Sequence, residues 1–241
     1  MDQSAYQGLA RTENDHWWYV GRREMINEQL MKLKLPDGAQ ILEVGTGTGG
    51  NLAMLAAHGN LSAMEFDRYA REFATQRSGI QVLEGSLPSN IPFNGKQFDL
   101  ICLFDVLEHV EDDIESLRSL SRLLNQGGRL MVTVPAYDWM WSDHDVVLHH
   151  FRRYSRDRLA RTVSDAGLNL TYITNFNTAL LPMAVAARLF NVVTGRKGSP
   201  GLATPPKPIN LMLKSIFRAE RYVSRLLSFR HGLSIMAIIE K

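Results

Sequence analysis

Short apolar runs along the chain alternate with stretches in which apolar residues recur at helical spacing. Apolar runs typical of buried strands occur at residues 39–45, 61–65, 80–85, 98–104, 127–135, 168–176 and 233–241. Helical spacing is found at residues 5–34, 50–59, 67–77, 110–124 and 155–167. The run at 98–104 is apolar almost throughout, which favours a strand in the middle of a parallel sheet. The alternation predicts an α/β domain with a largely parallel sheet and right-handed crossovers.

The stretch 177–232 between the last two predicted strands is too long for one crossover helix. Its apolar run at 178–193 contains Pro182 and Arg188 and is shorter than the ~20 residues that span a bilayer, so a core helix is favoured. Prolines and glycines concentrate in 195–208 and indicate a loop or hinge. We predict that 177–232 is a helical insertion that packs on the main domain.

The segment 209–227 within this insertion fits an amphipathic helix. Its basic residues share one predicted face, and its apolar residues lie roughly opposite. The basic set is Lys214, Arg218, Arg221 and Arg225, and the apolar set is Met212, Ile216, Val223 and Leu227. Such a helix can pack on a core with its basic face in water, bind an acidic substrate such as a lipid-linked phosphate sugar, contact an anionic membrane surface or contact a second subunit.

Composition excludes several protein classes. The chain has 241 residues, 45% apolar and 22% charged, which excludes disordered, collagen-like and disulfide-rich proteins. The single cysteine, Cys102, excludes an internal disulfide and zinc sites built on paired cysteines, and we predict no metal site. The start shows no basic segment followed by an apolar run, so a cytoplasmic location is expected.

Charge is distributed unevenly along the chain. Net charge is only +2, yet residues 196–230 hold eight Lys or Arg and one acid, Glu220. Such asymmetry indicates an interaction surface at one end, with peripheral membrane contact through 209–227 as one reading. The main domain has no basic stripe interleaved with aromatic residues, so nucleic acid is not expected as a partner.

A glycine-rich turn follows the first predicted strand and opens a helix. It reads Glu43-Val44-Gly45-Thr46-Gly47-Thr48-Gly49-Gly50. Glycines let the backbone turn sharply and let a ligand approach closely, and the helix N-terminus offers free N–H groups. The spacing also matches the dinucleotide signature, with Glu65 about 20 residues on, as a ribose-binding acid would be. Glu43, however, would repel a pyrophosphate and hold a cationic ligand.

Four motifs in register resemble class I S-adenosylmethionine-dependent methyltransferases of the bacterial type 11/12-like kind. They are ILEVGTGTGG, AMEFDRYARE, FDLICLFDVLEHVEDD and LLNQGGRLMVTVP, within a likeness over residues 38–176, and LSIMAIIEK resembles the family's last strand. The resemblance implies a doubly wound, Rossmann-like, mostly parallel seven-stranded sheet. The final strand would be antiparallel, inserted beside the fifth, with the helical insertion before it.

The resemblance also implies a set of residues that bind S-adenosyl-L-methionine. Gly45, Thr46, Gly47 and Gly49 would pass under its methionine part, with Glu43 near the ammonium. Glu65 would accept hydrogen bonds from both ribose hydroxyls, and Phe66 follows it. Further along the chain, Ser86 and Leu87 would line the adenine, although many relatives have Asp in place of Ser86, and the Phe104 carbonyl would face the ammonium.

Catalytic candidates lie after the fourth and fifth predicted strands. His109 belongs to an LEH motif that is frequent in the family, and packing at a helix start is its alternative role. The stretch 141–155 resembles a segment of bacterial methyltransferases that are often encoded with glycan genes. There His150 and Tyr154, with Arg152, would occupy the acceptor side; a solvated loop is the alternative. A hydroxyl acceptor needs a base, whereas an activated carbon or neutral amine acceptor does not always need one.

The predicted organisation has three parts. Residues 1–37 resemble a helical lid over the cofactor, residues 38–176 with 233–241 form the cofactor-binding domain, and 177–232 form the insertion. The predicted function is methyl transfer by in-line displacement to a small-molecule or glycan- or lipid-linked acceptor, with oxygen as the favoured methylated atom. The alternatives are a nicotinamide-dependent oxidoreductase on a similar fold and a non-catalytic binding module.

Overall fold

A computed structural model describes residues 3–194, 204–224 and 227–241 of the chain. Its centre is a seven-stranded sheet with the strand order β3-β2-β1-β4-β5-β7-β6. The strands are β1 (Gln40–Val44), β2 (Asn60–Glu65), β3 (Val82–Glu84), β4 (Phe98–Phe104), β5 (Leu124–Pro135), β6 (Asn169–Phe176) and β7 (Ser234–Glu240). β7 runs antiparallel to both of its neighbours, and β1 to β5 pair in parallel. The doubly wound, Rossmann-like fold and its antiparallel last strand are therefore confirmed.

Helices cover both faces of the sheet. They are α1 (Gln3–Thr12), α2 (Trp17–Leu33), α3 (Leu52–Ala56), α4 (Arg68–Ser78), α5 (Asp113–Ser121), α6 (Asp143–Val147), α7 (Arg156–Asp165), α8 (Leu181–Thr194) and α9 (Lys207–Ser224). Single 3-10 turns lie at Leu107–His109 and Asp138–Met140. The described residues contain no helix that is both long and apolar enough to span a membrane.

Alternate residues of the central strands pack into two separate hydrophobic layers. In β4, Ile101 and Leu103 join the layer that contains α5 and α7 residues, whereas Leu100 and Cys102 join the layer under α2 and α9. Side chains of a strand point alternately to opposite faces, so an almost wholly apolar strand is buried on both sides. Cys102 is a fully buried core residue.

The N-terminal segment is two helices, not the single one that the sequence predicted over 5–34. α1 ends at Thr12 and α2 begins at Trp17. His16 caps α2, because its extended backbone lets Nδ1 accept a hydrogen bond from the Trp18 N–H (3.2 Å). A helix start leaves N–H groups without partners, and a side-chain acceptor at this position stabilises the break.

The insertion packs on the N-terminal part of the chain through α9 and α2. The ring of Phe217 lies over Gly21, where a Cβ atom would be 2.3 Å from the ring. Only a glycine permits this approach of the two helices.

The face of α9 that packs differs from the predicted one. Leu213, Phe217 and Glu220 are buried, whereas Met212 and Val223 are exposed. Arg218 and Arg221 face α2, where both pair with Glu24. The basic stripe is thus partly engaged, because α2 supplies an acid that the pattern of α9 alone does not reveal. Arg225 lies outside the described residues.

Candidate functional site

Three loops meet at the carboxyl edge of the sheet. Because β1 lies between β2 and β4, the segments that follow these three strands are neighbours. They begin at Gly45, Phe66 and Asp105. In open α/β sheets, ligands bind in the crevice outside the carboxyl ends of the strands, where the strand order reverses. That reversal occurs here between β1 and β4.

The glycine loop after β1 requires glycine for two reasons. Gly45 has a φ of 70° and Gly47 a φ of 56°, a left-handed conformation that other residues rarely adopt. A Cβ on Gly45 would also lie 2.6 Å from a methyl group of Val106. The N–H groups of Gly45 and Thr46 both donate to the Met64 carbonyl, which ties the loop to β2. The loop is therefore a rigid floor of bare backbone.

Glu65 lies at the end of β2 beside this floor. Its carboxylate accepts hydrogen bonds from the N–H groups of Gly47 (2.7 Å) and Asp67 (2.9 Å). Burial raises the pKa of Glu65, and the hydrogen bonds from Asp67 and Gly47 oppose that change. Both contacts fix the direction of the carboxylate and leave it further acceptor positions.

Glu43 is buried under the glycine loop. One of its oxygens accepts from the Asn51 amide (2.9 Å), and the other has no hydrogen-bond partner among the described residues. Burial raises the pKa of Glu43 to about 8, although the Asn51 hydrogen bond and the charge of Arg22 lower it. A buried oxygen without a partner marks a position that a donor group of a ligand can occupy.

Arg22 of α2 reaches into the same region. Its guanidinium pairs with Asp105 and lies 4.9 Å from the centre of the Trp18 ring. Burial lowers the pKa of Arg22 to about 10, while the nearby charges of Tyr19 and Glu43 raise it. Arg22 lies within residues 1–37, the predicted lid, and the structure makes it a buried cation close to Glu43 of β1 and Asp105 after β4.

α1 covers the glycine loop. Leu9 lies over Gly47, within 3.8 Å of where its Cβ would be, and Tyr6 is buried beside Glu65 and Asp67. Glu13 follows α1, and its carboxylate accepts from the Thr48 hydroxyl (2.8 Å) and pairs with Arg77. The part of residues 1–37 that the structure describes therefore includes a helix closed on the predicted cofactor loop.

The predicted adenine residues lie on one side of the loop. Ser86 exchanges backbone hydrogen bonds with Asn90 (2.8 and 2.9 Å), so it forms a tight turn. Leu87 packs against the main core layer, and Phe66 is 74% exposed at the end of β2. Phe104 ends β4, next to β1. Thr46 is buried, with a hydroxyl that lacks a partner among the described residues.

His109 and His150 lie together beyond the end of β4. Their rings meet edge to face with centroids 4.5 Å apart. Burial and the neighbouring His150 lower the pKa of His109 to about 3. His150 follows α6, and its Nδ1 is 2.9 Å from the carboxylate of Asp145. Two predicted catalytic residues, about 40 positions apart in sequence, are thus brought into contact, as expected where strand ends meet.

Tyr154, the third predicted catalytic residue, does not face an acceptor. It is fully buried, and its hydroxyl donates to Asp113 (2.7 Å). Burial raises its pKa well above the usual range, as does the hydrogen bond to Asp113. Arg152 pairs with the same Asp113 at 3.0 Å. This buried position argues against direct contact of Tyr154 with a substrate. The hydrogen bond to Asp113 instead ties the segment 141–155 to α5.

Two acidic residues at this place were not predicted. Asp145 is fully buried. It accepts hydrogen bonds from Nε of Arg153 (2.7 Å) and from the Ser142 N–H (2.8 Å). Burial would raise its pKa, but the bonds from His150 and Arg153 hold that pKa well below the usual range. Glu108 is 1% exposed, and burial raises its pKa to about 8. The cluster of two acids and three histidines in 143–150 was a signal in the sequence for Asp145.

The residues at the carboxyl edge fit S-adenosylmethionine. Its ammonium can use the orphaned oxygen of Glu43, and its carboxylate can use Arg22, which is buried nearby. The glycines at 45, 47 and 49 carry no side chains, so a ligand can approach the loop backbone closely.

Comparison with known proteins agrees with this geometry. Residues 17–173 match the methyltransferase-domain family. A probable S-adenosylmethionine-dependent methyltransferase of Mycobacterium tuberculosis is 25% identical over 157 residues, which cover 64% of this chain and 56% of that protein. An O-methyltransferase of Penicillium expansum is 24% identical over 176 residues, with 68% and 63% covered. The chain thus spans little more than half the length of the mycobacterial relative.

Solved structures show the same fold. A Bacillus halodurans protein described as a methyltransferase has a crystal structure that superposes with a TM-score of 0.60 at 16% identity. The match covers 89% of this chain and 98% of that chain. A methyltransferase from Clostridium acetobutylicum gives 0.58 at 13% identity, over 92% and 91%. With the family match over more than half of its length, the chain belongs to the class I S-adenosylmethionine-dependent methyltransferases.

Proposed function

We propose that this protein transfers a methyl group from S-adenosylmethionine to an oxygen atom of a small-molecule or glycan-type acceptor, including lipid-linked ones. The observation that carries the proposal is the contact of His109 with His150 beyond the end of β4, the strand that neighbours β1. A hydroxyl is a weak nucleophile until its proton is removed, and imidazole groups near the reacting atom favour that loss.

The residues that would hold the donor come from four elements. Glu65 would bind the ribose hydroxyls, Glu43 the ammonium and Arg22 the carboxylate, while Phe66 and Leu87 would flank the adenine. Bound there, S-adenosylmethionine would supply a methyl group on a positively charged sulfur, which leaves as a neutral thioether. The protein's main contribution is to hold donor and acceptor in line, which is worth effective molarities of about 10⁵ M or more.

His109 and His150 would prepare the acceptor oxygen. Asp145 fixes the ring of His150 through Nδ1, so that Nε2 faces away from Asp145. Desolvation keeps His109 neutral at physiological pH, because its pKa is lowered to about 3. The hydroxyl proton of the acceptor would pass to Nε2 of His150 while the oxygen bonds to the methyl carbon and the carbon–sulfur bond breaks, with its electron pair left on sulfur. Tyr154 and Asp113 would position the loop without touching the acceptor.

The surface around these histidines favours an acceptor with an apolar part. Trp139, Val146 and Phe151 are 59%, 60% and 54% exposed on the segment that carries His150. Exposed aromatic side chains can support a sugar ring or another flat apolar group. Two relatives are O-methyltransferases by name, the Penicillium protein and a mitochondrial ubiquinone biosynthesis enzyme of Dictyostelium discoideum. Both similarities support oxygen as the methylated atom.

We also propose that the protein works in the cytoplasm and touches anionic membranes through α9. Lys207 and Lys214 make no ion pair with any residue that the structure describes, and Ile209, Leu211 and Met212 are exposed on the same helix. A helix with cations and exposed apolar residues binds anionic lipid surfaces. Such contact would bring a lipid-linked acceptor to the site.

The test of the proposed function measures donor binding and transfer separately. Calorimetry on the wild-type protein should show micromolar binding of S-adenosylmethionine, at least tenfold weaker in the Glu65→Ala variant. Glu72→Ala is the matched control, because Glu72 is an exposed acid on α4 that forms an ion pair with Arg68 on the same helix. Unchanged affinity of Glu65→Ala would remove the ribose role.

Incubation with donor carrying a labelled methyl group and a set of hydroxylated acceptors tests the reaction. Label transferred to oxygen in the wild-type protein, and reduced at least a hundredfold in His150→Ala with donor affinity retained, supports the proposal. Label found only on nitrogen or carbon contradicts it. Binding of reduced nicotinamide dinucleotide, seen by its fluorescence, would support the oxidoreductase instead. Donor binding without transfer to any acceptor would favour the binding module.

A further inference from the structure

Three side chains on the acceptor side present metal-binding atoms to one another. A carboxylate oxygen of Glu108 and one ring nitrogen each of His109 and His150 lie within 4.8 Å of one another. Glu108 is buried, and the two histidines are partly buried. The three residues come from two segments that fold together, the 3-10 turn after β4 and the loop after α6.

The ring of His150 is held through one of its two nitrogens. His150 Nδ1 lies 2.9 Å from Asp145, which is itself held by Arg153 and Ser142, so Nε2 is the nitrogen left for a metal ion. Metal-binding histidines nearly always give their second N–H to a carboxylate or a carbonyl, which sets the tautomer and the direction of the free nitrogen.

The carboxylate of Glu108 has an unused oxygen. Its Oε2 is buried and has no hydrogen-bond partner among the described residues, and Glu108 forms no ion pair with any of them. The two cations whose charges act on Glu108 are engaged with other acids, Arg22 with Asp105 and Arg153 with Asp145. Native structures rarely bury a carboxylate oxygen without a partner, and each exception calls for an ion, a water or a ligand.

We propose that Glu108, His109 and His150 bind one divalent first-row transition metal ion whose open positions receive the acceptor oxygen. The proposal rests on the proposed methyl transfer to oxygen. Two imidazoles and one carboxylate suit zinc, iron, cobalt or manganese, whereas magnesium and calcium prefer oxygen ligands alone. Imidazole nitrogen binds such ions at about 2.1 Å, so rotation of the side chains must bring the three atoms about 3 Å from one another.

Bound to this ion, the hydroxyl of the acceptor would lose its proton to water near neutral pH. A metal ion lowers the pKa of a bound oxygen acid, in the same way that zinc lowers the pKa of bound water. The metal keeps its oxidation state throughout. The oxygen then forms a bond to the methyl carbon as the carbon–sulfur bond breaks, and the electron pair of that bond stays on sulfur. In this scheme His150 is a metal ligand and water takes the proton, so the ion replaces His150 as the group that activates the acceptor oxygen.

Direct metal titration tests the proposal without an acceptor. The full-length protein, stripped with a chelator, is titrated with Zn²⁺ and Mg²⁺ by calorimetry and with Co²⁺ by visible absorption, which reports the ligand set. One equivalent of Zn²⁺ should bind, at least tenfold more tightly than Mg²⁺, and should raise the melting temperature. Glu108→Gln, His109→Ala and His150→Ala should each weaken Zn²⁺ binding at least tenfold.

His58→Ala is the matched control, because His58 is a partly buried histidine that pairs with Asn27 outside the cluster. S-adenosylmethionine affinity, measured on the same samples, shows whether each variant is folded. If a variant does not fold, the Co²⁺ absorption spectrum of the wild-type protein tests metal binding by the histidines. Nitrogen ligands make the spectrum of bound Co²⁺ differ from the spectrum of the aqueous ion. The proposal is overturned if no Zn²⁺ binds up to 1 mM, if Mg²⁺ binds more tightly than Zn²⁺, or if all variants bind Zn²⁺ equally well. In that case, intact donor binding and methyl transfer to oxygen would still support the proposed function.

Discussion

Glu43 shows how burial alters the chemistry expected of a binding residue. The sequence places a carboxylate beside the glycine turn, where it would attract a cation. The structure buries that carboxylate with one oxygen unpaired, and burial raises its pKa to about 8. Near neutral pH the ligand-free protein therefore holds Glu43 largely as the neutral acid. A cationic ligand group beside it would favour the ionised form.

Replacing Glu43 by Gln should stabilise the ligand-free protein at high pH but not at low pH. The folded-state pKa of about 8 lies above the ordinary glutamate value of 4.5, so the stability contributed by the protonated acid is fully present below pH 4.5 and is lost as the pH rises from there through about 8. Since one pKa unit corresponds to about 1.4 kcal/mol and the pKa rises from 4.5 to about 8, the variant should gain on the order of 4–5 kcal/mol over the wild-type protein at pH 8.5.

Urea unfolding of both proteins at pH 5 and pH 8.5 measures this difference. Glu72→Gln is the control, because Glu72 is exposed and should give no comparable rise with pH. A Glu43→Gln effect that is the same at both pH values would show that Glu43 is ionised in the folded protein.

Sequence motifs identified the residues that act through local structure and missed those that act through distant contacts. Gly45 and Glu65 occupy fixed places at strand ends, so their neighbourhood follows from the fold. Glu108 and Asp145 matter because a loop after β5 folds back onto the turn after β4, which no local pattern encodes. Tyr154 was assigned to the wrong environment for the same reason, since its partner Asp113 begins α5.

Strands were easier to predict than the packing of amphipathic helices. A buried strand can be predicted from a short run of apolar residues, and each predicted strand is present. α9 offers two apolar stripes, and the sequence gives no reason to prefer the one that includes Leu213 and Phe217. The choice depends on Gly21 of α2, which alone leaves room for the Phe217 ring.

Phe217→Ala should detach α9 while leaving the sheet folded. Phe217 is fully buried and stacks near Phe176 and Trp17, with centroids 6.3 and 6.1 Å away. Truncating a buried Phe costs about 3–5 kcal/mol. Hydrogen exchange should show α9 amides losing protection, with β4 and β5 unchanged. Val223→Ala, a 45% exposed site on the same helix, is the control and should change little. Equal protection of α9 in both variants would contradict this account.

Positive charge is concentrated in residues 196–230, and in the structure part of this charge is neutralised by ion pairs with α2. Arg218 and Arg221 share Glu24, and Glu220 is turned inward, where it accepts from the Thr178 N–H (2.7 Å). Among the described residues of α9, this leaves Lys207 and Lys214 without ion pairs. Any attraction of α9 to an anionic surface should therefore depend on these two lysines more than on Arg218 and Arg221.

Flotation with lipid vesicles tests that dependence. The wild-type protein should float with vesicles that contain anionic lipid and not with neutral ones, and salt should weaken the association. Each lysine near an anionic surface contributes about 1 kcal/mol, so Lys207→Gln with Lys214→Gln should weaken binding about tenfold or more. The matched control removes Lys96 and Lys241 instead, which changes net charge equally at sites outside α9. If both double variants float alike, net charge rather than α9 governs the interaction, and if neither the wild-type protein nor the control floats, the membrane contact is wrong.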